Sequence, residues 1–132
     1  MKNLNFEIPS SRENVRFVEK YIERARTEYN IDEDVYGNII VAVTESVSNA
    51  IIHGNKLDET KKVKLGLSMS DNKFKIEVQD QGCGFDYLSV PDPTLPENIH
   101  KPGGRGIFLM KRLCDKMEIL EEGRKIQLTF NV

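Results

Sequence analysis

The sequence predicts an α+β fold: a two-layer α/β sandwich with a mixed, mainly antiparallel sheet and its helices on one face. Three observations predict it. Four segments, around residues 4–8, 63–69, 74–78 and 126–130, alternate apolar with polar residues, the pattern of a half-buried strand. Turn-forming Ser70-Asp71-Asn72-Lys73 joins the middle two, which makes them an antiparallel hairpin. The remaining periodic segments carry helical spacing instead. Strands with one apolar face need covering on that side alone, so helices take one face of the sheet and water the other.

Leu4, Phe6 and Ile8 mark a first strand ending at Pro9. Ser10-Ser-Arg-Glu13 then fits a capping box that opens a helix. Its apolar positions Val15, Val18, Ile22 and Ala25 carry it to about Thr27. A second helix starts near Asp32–Asp34, whose carboxylates suit a helix N-terminus, and runs to about His53 with Gly54 as its stop. Val63, Leu65, Leu67 and Met69 form one arm of the hairpin; Phe74, Ile76 and Val78 form the other, with Asp80 at its far end. Residues 107–117 return to helical spacing through Ile107, Met110, Leu113, Cys114 and Met117. Ile126, Leu128 and Phe130 make the last strand after a turn at Gly123. Between these elements, residues 86–102 hold four of the five prolines and no regular period. Structureless loops beyond ~12–15 residues are usually functional or disordered, so this segment is a candidate lid.

A chain of 132 residues fits one domain, 1–132. Its 19 basic and 21 acidic residues leave a net charge of −2, so no bulk field favours nucleic acid or an anionic membrane. No apolar run approaches the ~20 residues of a membrane span, and the start Met-Lys-Asn-Leu-Asn-Phe-Glu lacks the apolar stretch of a secretory signal. Cys83 and Cys114 form no C-x-x-C and read as reduced thiols, which with the rest implies a cytoplasmic protein.

Chemistry concentrates in three short segments. In Glu45-Ser-Val-Ser-Asn49-Ala-Ile-Ile-His53-Gly54, Glu45 and Asn49 lie about 40° apart around a helix and share one face. The apolar arc Ile39, Val43, Val47 and Ala50 takes roughly the opposite side. A side-chain amide oxygen is a suitable Mg²⁺ ligand beside triphosphate oxygens, and a carboxylate one turn away can accept a proton from an attacking hydroxyl. Taken alone, the pair also reads as a solvated helix face. In Asp80-Gln-Gly82-Cys-Gly84-Phe85, an ionised carboxylate only accepts hydrogen bonds, so it suits the exocyclic amine of adenine and not the carbonyl of guanine. Gly82 and Gly84 let the chain come close to a flat base; an ordinary Asp-Gly turn reads equally well from this motif alone. Gly103-Gly104-Arg105-Gly106-Ile107-Phe108 leads straight into a helix, where backbone N–H groups and Arg105 suit an anion. A glycine hinge for the lid would look the same. No G-x-x-x-x-G-K-[ST] occurs, and no nucleophilic triad forms around His53 or His100. Together, a base acceptor, a metal ligand and a phosphate cradle suit ATP with Mg²⁺.

In order and spacing these segments resemble the GHKL (Bergerat-fold) ATPases, which include gyrase, Hsp90, histidine kinases and the mismatch-repair ATPase. Glu45…Asn49 looks like their N box, Asp80-Gln-Gly82-Cys-Gly84 like their G1 box and Gly104-Arg105-Gly106 like their G2 box. The chain looks most like the small bacterial anti-sigma factor serine/threonine kinases. That resemblance implies that Asn49 binds Mg²⁺ and Asp80 binds adenine, with Gly82 and Gly84 shaping the base pocket. Gly104, Arg105 and Gly106, with the backbone of Ile107 and Phe108, would hold phosphates under the 86–102 lid. Glu45 would orient or deprotonate an incoming serine hydroxyl. The implied partners are an anti-anti-sigma (STAS-type) protein carrying that serine, and a sigma factor. Such kinases are commonly homodimers, although no long apolar stripe is left over to mark an interface. One departure stands out: relatives often have a threonine just after the glycine that opens the last strand, where Gly123 is here followed by Arg124 and Lys125, and Thr129 is out of step with it.

A protein-serine kinase is the reading these features favour. The alternative is a non-catalytic binding module in which nucleotide orders the lid to create a partner surface. A detached histidine-kinase catalytic domain ranks third, since no phospho-accepting helix precedes the first strand.

Overall fold

β1 (Asn3–Pro9), β2 (Lys62–Ser70), β3 (Lys73–Gln79), β4 (Lys116–Leu120) and β5 (Lys125–Asn131) form one sheet in the order β1-β2-β3-β5-β4. Every neighbouring pair is antiparallel. The computed structural model describes residues 3–82 and 105–132, Arg105 by its backbone alone. The candidate lid at 86–102, with His100 and Lys101, and Cys83 lie outside the described residues.

Alternation in the sequence sets the register, because a slip of one residue would turn every apolar side chain to water. Phe6, Leu65, Val78, Ile126 and Ile119 align across the five strands, and Leu4, Leu67, Ile76, Leu128 and Met117 make a second row. The other face is polar: Asn5, Gly66, Glu77, Gln127 and Glu118 align there, and the Lys125 ammonium lies 3.4 Å from Glu77. The β2–β3 hairpin closes as expected at Asp71 and Asn72. Both adopt positive φ (51° and 60°), the backbone twist a two-residue hairpin turn needs.

Three helices cover the apolar face among the described residues: α1 (Val15–Tyr29), α2 (Glu33–Asn49) and α3 (Arg105–Leu113). α1 buries Val18, Ile22 and Ala25; α2 buries Ile39, Ala42, Val43 and Val47; α3 contributes Met110. α2 opens where its acidic cluster predicts, with the Asp32 carboxylate accepting the Asp34 N–H at 3.1 Å. It closes differently from expectation. The α-helix stops at Asn49, and a π-helical turn, Ala50–Gly54, follows. This 22-residue helical run, Glu33–Gly54, is long and apolar enough to cross a membrane by length and composition, contrary to the sequence reading. In the fold it is a core helix: Ile39, Ala42, Val43, Val47, Ala50 and Ile51 are buried in the hydrophobic cluster, while Val41 is exposed.

Two further expectations are corrected. The capping box does not form: Ser10 is fully buried and its hydroxyl donates to the Lys61 carbonyl at 2.6 Å, so it cannot cap a helix. A 3-10 turn at Arg12–Asn14 intervenes, and α1 begins at Val15, running past Thr27 to a left-handed Asn30. The helix expected over 107–117 ends at Leu113 and gives way to β4. Met110, Leu113, Cys114 and Met117 satisfy helical spacing, yet Met117 and Ile119 equally satisfy alternation. Asp115 decides between them. Its N–H donates to the Thr129 carbonyl (2.9 Å) and its carboxylate accepts the Asn131 N–H (2.7 Å), turning the chain back along β5. The sheet therefore has five strands, not four.

Ile76 sits at 0% exposure on the middle strand of this sheet. Ile76→Ala is expected to cost about 2–5 kcal/mol through lost burial and the cavity left behind. Urea unfolding followed by circular dichroism should show a lower midpoint with an unchanged slope.

Candidate functional site

Helical spacing puts Glu45 and Asn49 one turn apart near the end of α2, both half-buried, and α3 starts directly over them. A Cβ on Gly106 would lie 2.8 Å from the Asn49 amide nitrogen, 3.3 Å from its oxygen and 3.1 Å from a Glu45 carboxylate oxygen. Glycine lets the α3 backbone come this close without displacing either side chain. The opening N–H groups of a helix have no partner within it, and the first described turn of α3 lies beside Glu45 and Asn49. Hard oxygen and helix-start N–H groups are the donors a metal–triphosphate needs. The cradle that a Cβ would fill is thus of the right chemistry for phosphate with Mg²⁺. Among the described residues no three His, Cys, Asp or Glu side chains gather to hold a metal.

One turn further along, the π-turn carries Gly54 against Asp80. A Cβ on Gly54 would overlap the Asp80 carboxyl group, and one on Gly82 would overlap the Gly54 carbonyl. Asp80 is held by its backbone, whose N–H donates to the Arg124 carbonyl at 2.8 Å, and its carboxylate accepts the Gly82 N–H at 2.8 Å. Burial pushes the Asp80 carboxyl above its ordinary range, while the Gly82 N–H and the Arg124 guanidinium pull it partly back. A half-desolvated acceptor of this kind favours a donor brought by a ligand.

The structure therefore makes two close seatings at the end of α2 and the turn after it: Gly106 on Glu45 and Asn49, and Gly54 with Asp80 and Gly82. Ile107 and Phe108 follow Gly106 in the first turn of α3, with Arg112 stacked 5.5 Å over the Phe108 ring. Gly84 and Gly104 lie outside the described residues, as does the Arg105 side chain. His53 and Lys111 are exposed. Thr129 is indeed out of step: it pairs with Lys75 and Lys116, whereas Asp80 follows the Gln79–Lys125 pair. Lys125 points to the polar face of the sheet, toward Glu77. Cys114 is a free, half-buried thiol, which burial pushes up and makes a poor nucleophile.

Gly54 is the residue the sequence undersold. It reads as a helix stop, but its lack of a side chain is what admits the Asp80 carboxylate. Its position between an amide-bearing helix and an Asp-x-Gly loop was the available signal; the widened turn that aims it was not visible.

Known proteins resemble this chain along nearly all of its length. The profile described as Histidine kinase-like ATPase domain matches residues 8–130. The chain is 35% identical over 92 residues to the Anti-sigma F factor of Clostridium perfringens (strain SM101), covering 67% of this chain and 64% of that protein. It is 29% identical over 126 residues to the Serine-protein kinase RsbW of Staphylococcus epidermidis, covering 90% of this chain and 79% of that one. The match thus spans less than two thirds of the first relative's length. Among solved structures, the RsbU and RsbW domains of Rv1364c from Mycobacterium tuberculosis align with a TM-score of 0.71 at 16% identity. That alignment covers 99% of this chain and 32% of the other, and at such identity it speaks for the fold alone.

Proposed function

Because this chain belongs to the histidine kinase-like ATPase domain family, we propose that it is an ATP- and Mg²⁺-dependent protein-serine/threonine kinase acting as an anti-sigma regulator. The observation that carries this reading is the seating of the Gly106 backbone on Glu45 and Asn49. On this reading Glu45, Asn49 and Gly106 serve as proton acceptor, metal ligand and part of a phosphate cradle, and their closeness supports it. The relatives named Anti-sigma F factor and Serine-protein kinase RsbW support the same role. The reading takes residues 1–132 as one ATP-binding domain.

Asp80 accepts the adenine amine, in the gap that Gly54 and Gly82 leave open and that Gly84 helps to shape. Gly104, Arg105, Gly106, Ile107 and Phe108 hold the phosphates. Asn49 supplies the protein ligand to Mg²⁺, which when bound neutralises phosphate charge. Glu45 takes the proton of a partner's serine hydroxyl as that oxygen bonds to the γ-phosphorus, and ADP leaves with the electrons of the broken P–O bond. Phosphoryl transfer needs little beyond this positioning and charge neutralisation. The partner phosphorylated is an anti-anti-sigma (STAS-type) protein, and the second partner is a sigma factor. Two copies work as a homodimer in the cytoplasm.

Incubation with γ-labelled ATP and a co-purified partner tests the proposal. Label should pass to a partner serine in Mg²⁺ and stay on ATP in EDTA. Absence of transfer in both, with partner binding still nucleotide-dependent, would replace the kinase by a nucleotide-gated binding module.

A further inference from the structure

We infer that Asn55 is a positioning residue of the nucleotide site: its side chain sets where the Asp80–Gly82 loop sits, and Ser10 holds it in place. This inference rests on the nucleotide-site reading above and extends it to residues that would touch no ligand.

Asn55 is 1% exposed, immediately after the π-turn. Its side-chain oxygen accepts the Gln81 N–H at 2.7 Å, from the middle residue of the Asp80–Gly82 loop. Its amide nitrogen donates twice, to the Ser10 hydroxyl (2.8 Å) and to the Lys62 carbonyl (3.1 Å). Ser10, itself fully buried, donates onward to the Lys61 carbonyl at 2.6 Å. The backbone N–H of Asn55 donates to the Ala50 carbonyl at 2.8 Å, closing the π-turn. One side chain thus ties together the end of the core helix, the start of β2, the exit of β1 and the loop that carries Asp80.

The chemistry is particular to asparagine. Both amide hydrogens and the oxygen are in use, and all face backbone or hydroxyl groups away from solvent. Aspartate would set an acceptor against the Lys62 carbonyl, and leucine would strand the Gln81 N–H. The side chain of Gln81 accepts the Lys62 N–H, so the loop has a second tie to β2, and Asn55 adds a hydrogen bond from the end of the turn carrying Gly54 to its packing on Asp80 and Gly82. Gly54 and Asp80 are packed against each other, so a loop freed at Gln81 lets the Asp80 carboxylate drift from its seat beside Gly54.

The test compares wild type, Asn55→Ala, Asn55→Ser and Ser10→Ala with Val18→Ala, a core truncation remote from the loop that serves as a stability-matched control. Two measurements are made below the lowest Tm: exchange of the Gln81 amide hydrogen, and titration with fluorescent ATP and GTP analogues. In Asn55→Ala, Gln81 exchange is expected to accelerate and ATP affinity to fall about tenfold, the size of one buried hydrogen bond left unmade. The preference for ATP over GTP should shrink with it, whereas Val18→Ala should lose stability and keep both. Asn55→Ser and Ser10→Ala should fall between, and they carry the test if the alanine variant does not fold. Unchanged Gln81 exchange in the Asn55 variants would overturn the inference, as would faster exchange with ATP affinity and preference intact. If wild type itself binds no ATP, the nucleotide reading fails while the exchange data still decide whether Asn55 positions the loop.

Discussion

Glu45→Ala is expected to abolish phosphoryl transfer while leaving nucleotide and partner binding in place. Glu45 lies beside Gly106, one helical turn before Asn49 and further along the chain from Gly54, and the proposed mechanism gives the adenine contact to Asp80 and the metal contact to Asn49. Removing a positioned proton acceptor costs roughly 10²–10⁴-fold in rate. Single-turnover transfer of label from ATP to the partner should drop by that factor, and an isothermal titration with an ATP analogue should return the wild-type affinity. Glu45→Gln should behave alike, since an amide keeps the shape and cannot take the proton. A variant that transfers phosphate at the wild-type rate would remove Glu45 from the chemistry.

Asp80→Asn should separate stability from binding. The amide retains an oxygen for the Gly82 N–H but offers a donor where the carboxylate is proposed to accept the adenine amine. ATP affinity should fall about tenfold or more, with the preference over GTP lost. Stability moves the other way. Burial raises the Asp80 carboxyl above its ordinary 3.8, so the folded state binds that proton more tightly than the unfolded chain. Any stability linked to Asp80 is whole below 3.8 and declines as pH rises through the elevated folded value. At neutral pH the ionised carboxylate is a cost that the neutral asparagine escapes. The variant should melt higher than wild type at pH 7, and the gap should close as pH falls toward 3.8. A lower Tm at pH 7 with unchanged ATP affinity would contradict both halves.

Much of the architecture was legible because each element used one unambiguous code. The β2–β3 hairpin had clean alternation on both arms and an Asp-Asn turn able to adopt positive φ. α2 had acidic residues at its start and a continuous apolar arc. β4 was hidden because Met117 serves two periods at once, and the bonds that select the strand join Asp115 to Thr129 and Asn131, beyond the reach of a local pattern. Ser10 misled for a related reason. A serine three residues before a glutamate suits a cap, but burial beneath Lys61 and Asn55 claims its hydroxyl first. Within the site, Glu45, Asn49, Asp80, Gly82 and Gly106 could be named from motif spacing. Gly54 and Asn55 could not, since what they do depends on a helix turn whose width the sequence does not announce.

That widened turn turns residue counting into a test. An α-helix advances about 100° per residue, so a chain with one residue fewer between Asn49 and Gly54 would swing the glycine away from the aspartate. Its hydrophobic layers would still assemble where the residue lost is exposed His53, because the buried Ala50 and Ile51 of that turn precede it. Such a protein would fold and yet offer no seat to a purine. Indels in this short stretch should therefore sort related sequences into those able to hold nucleotide and those that keep the shell alone.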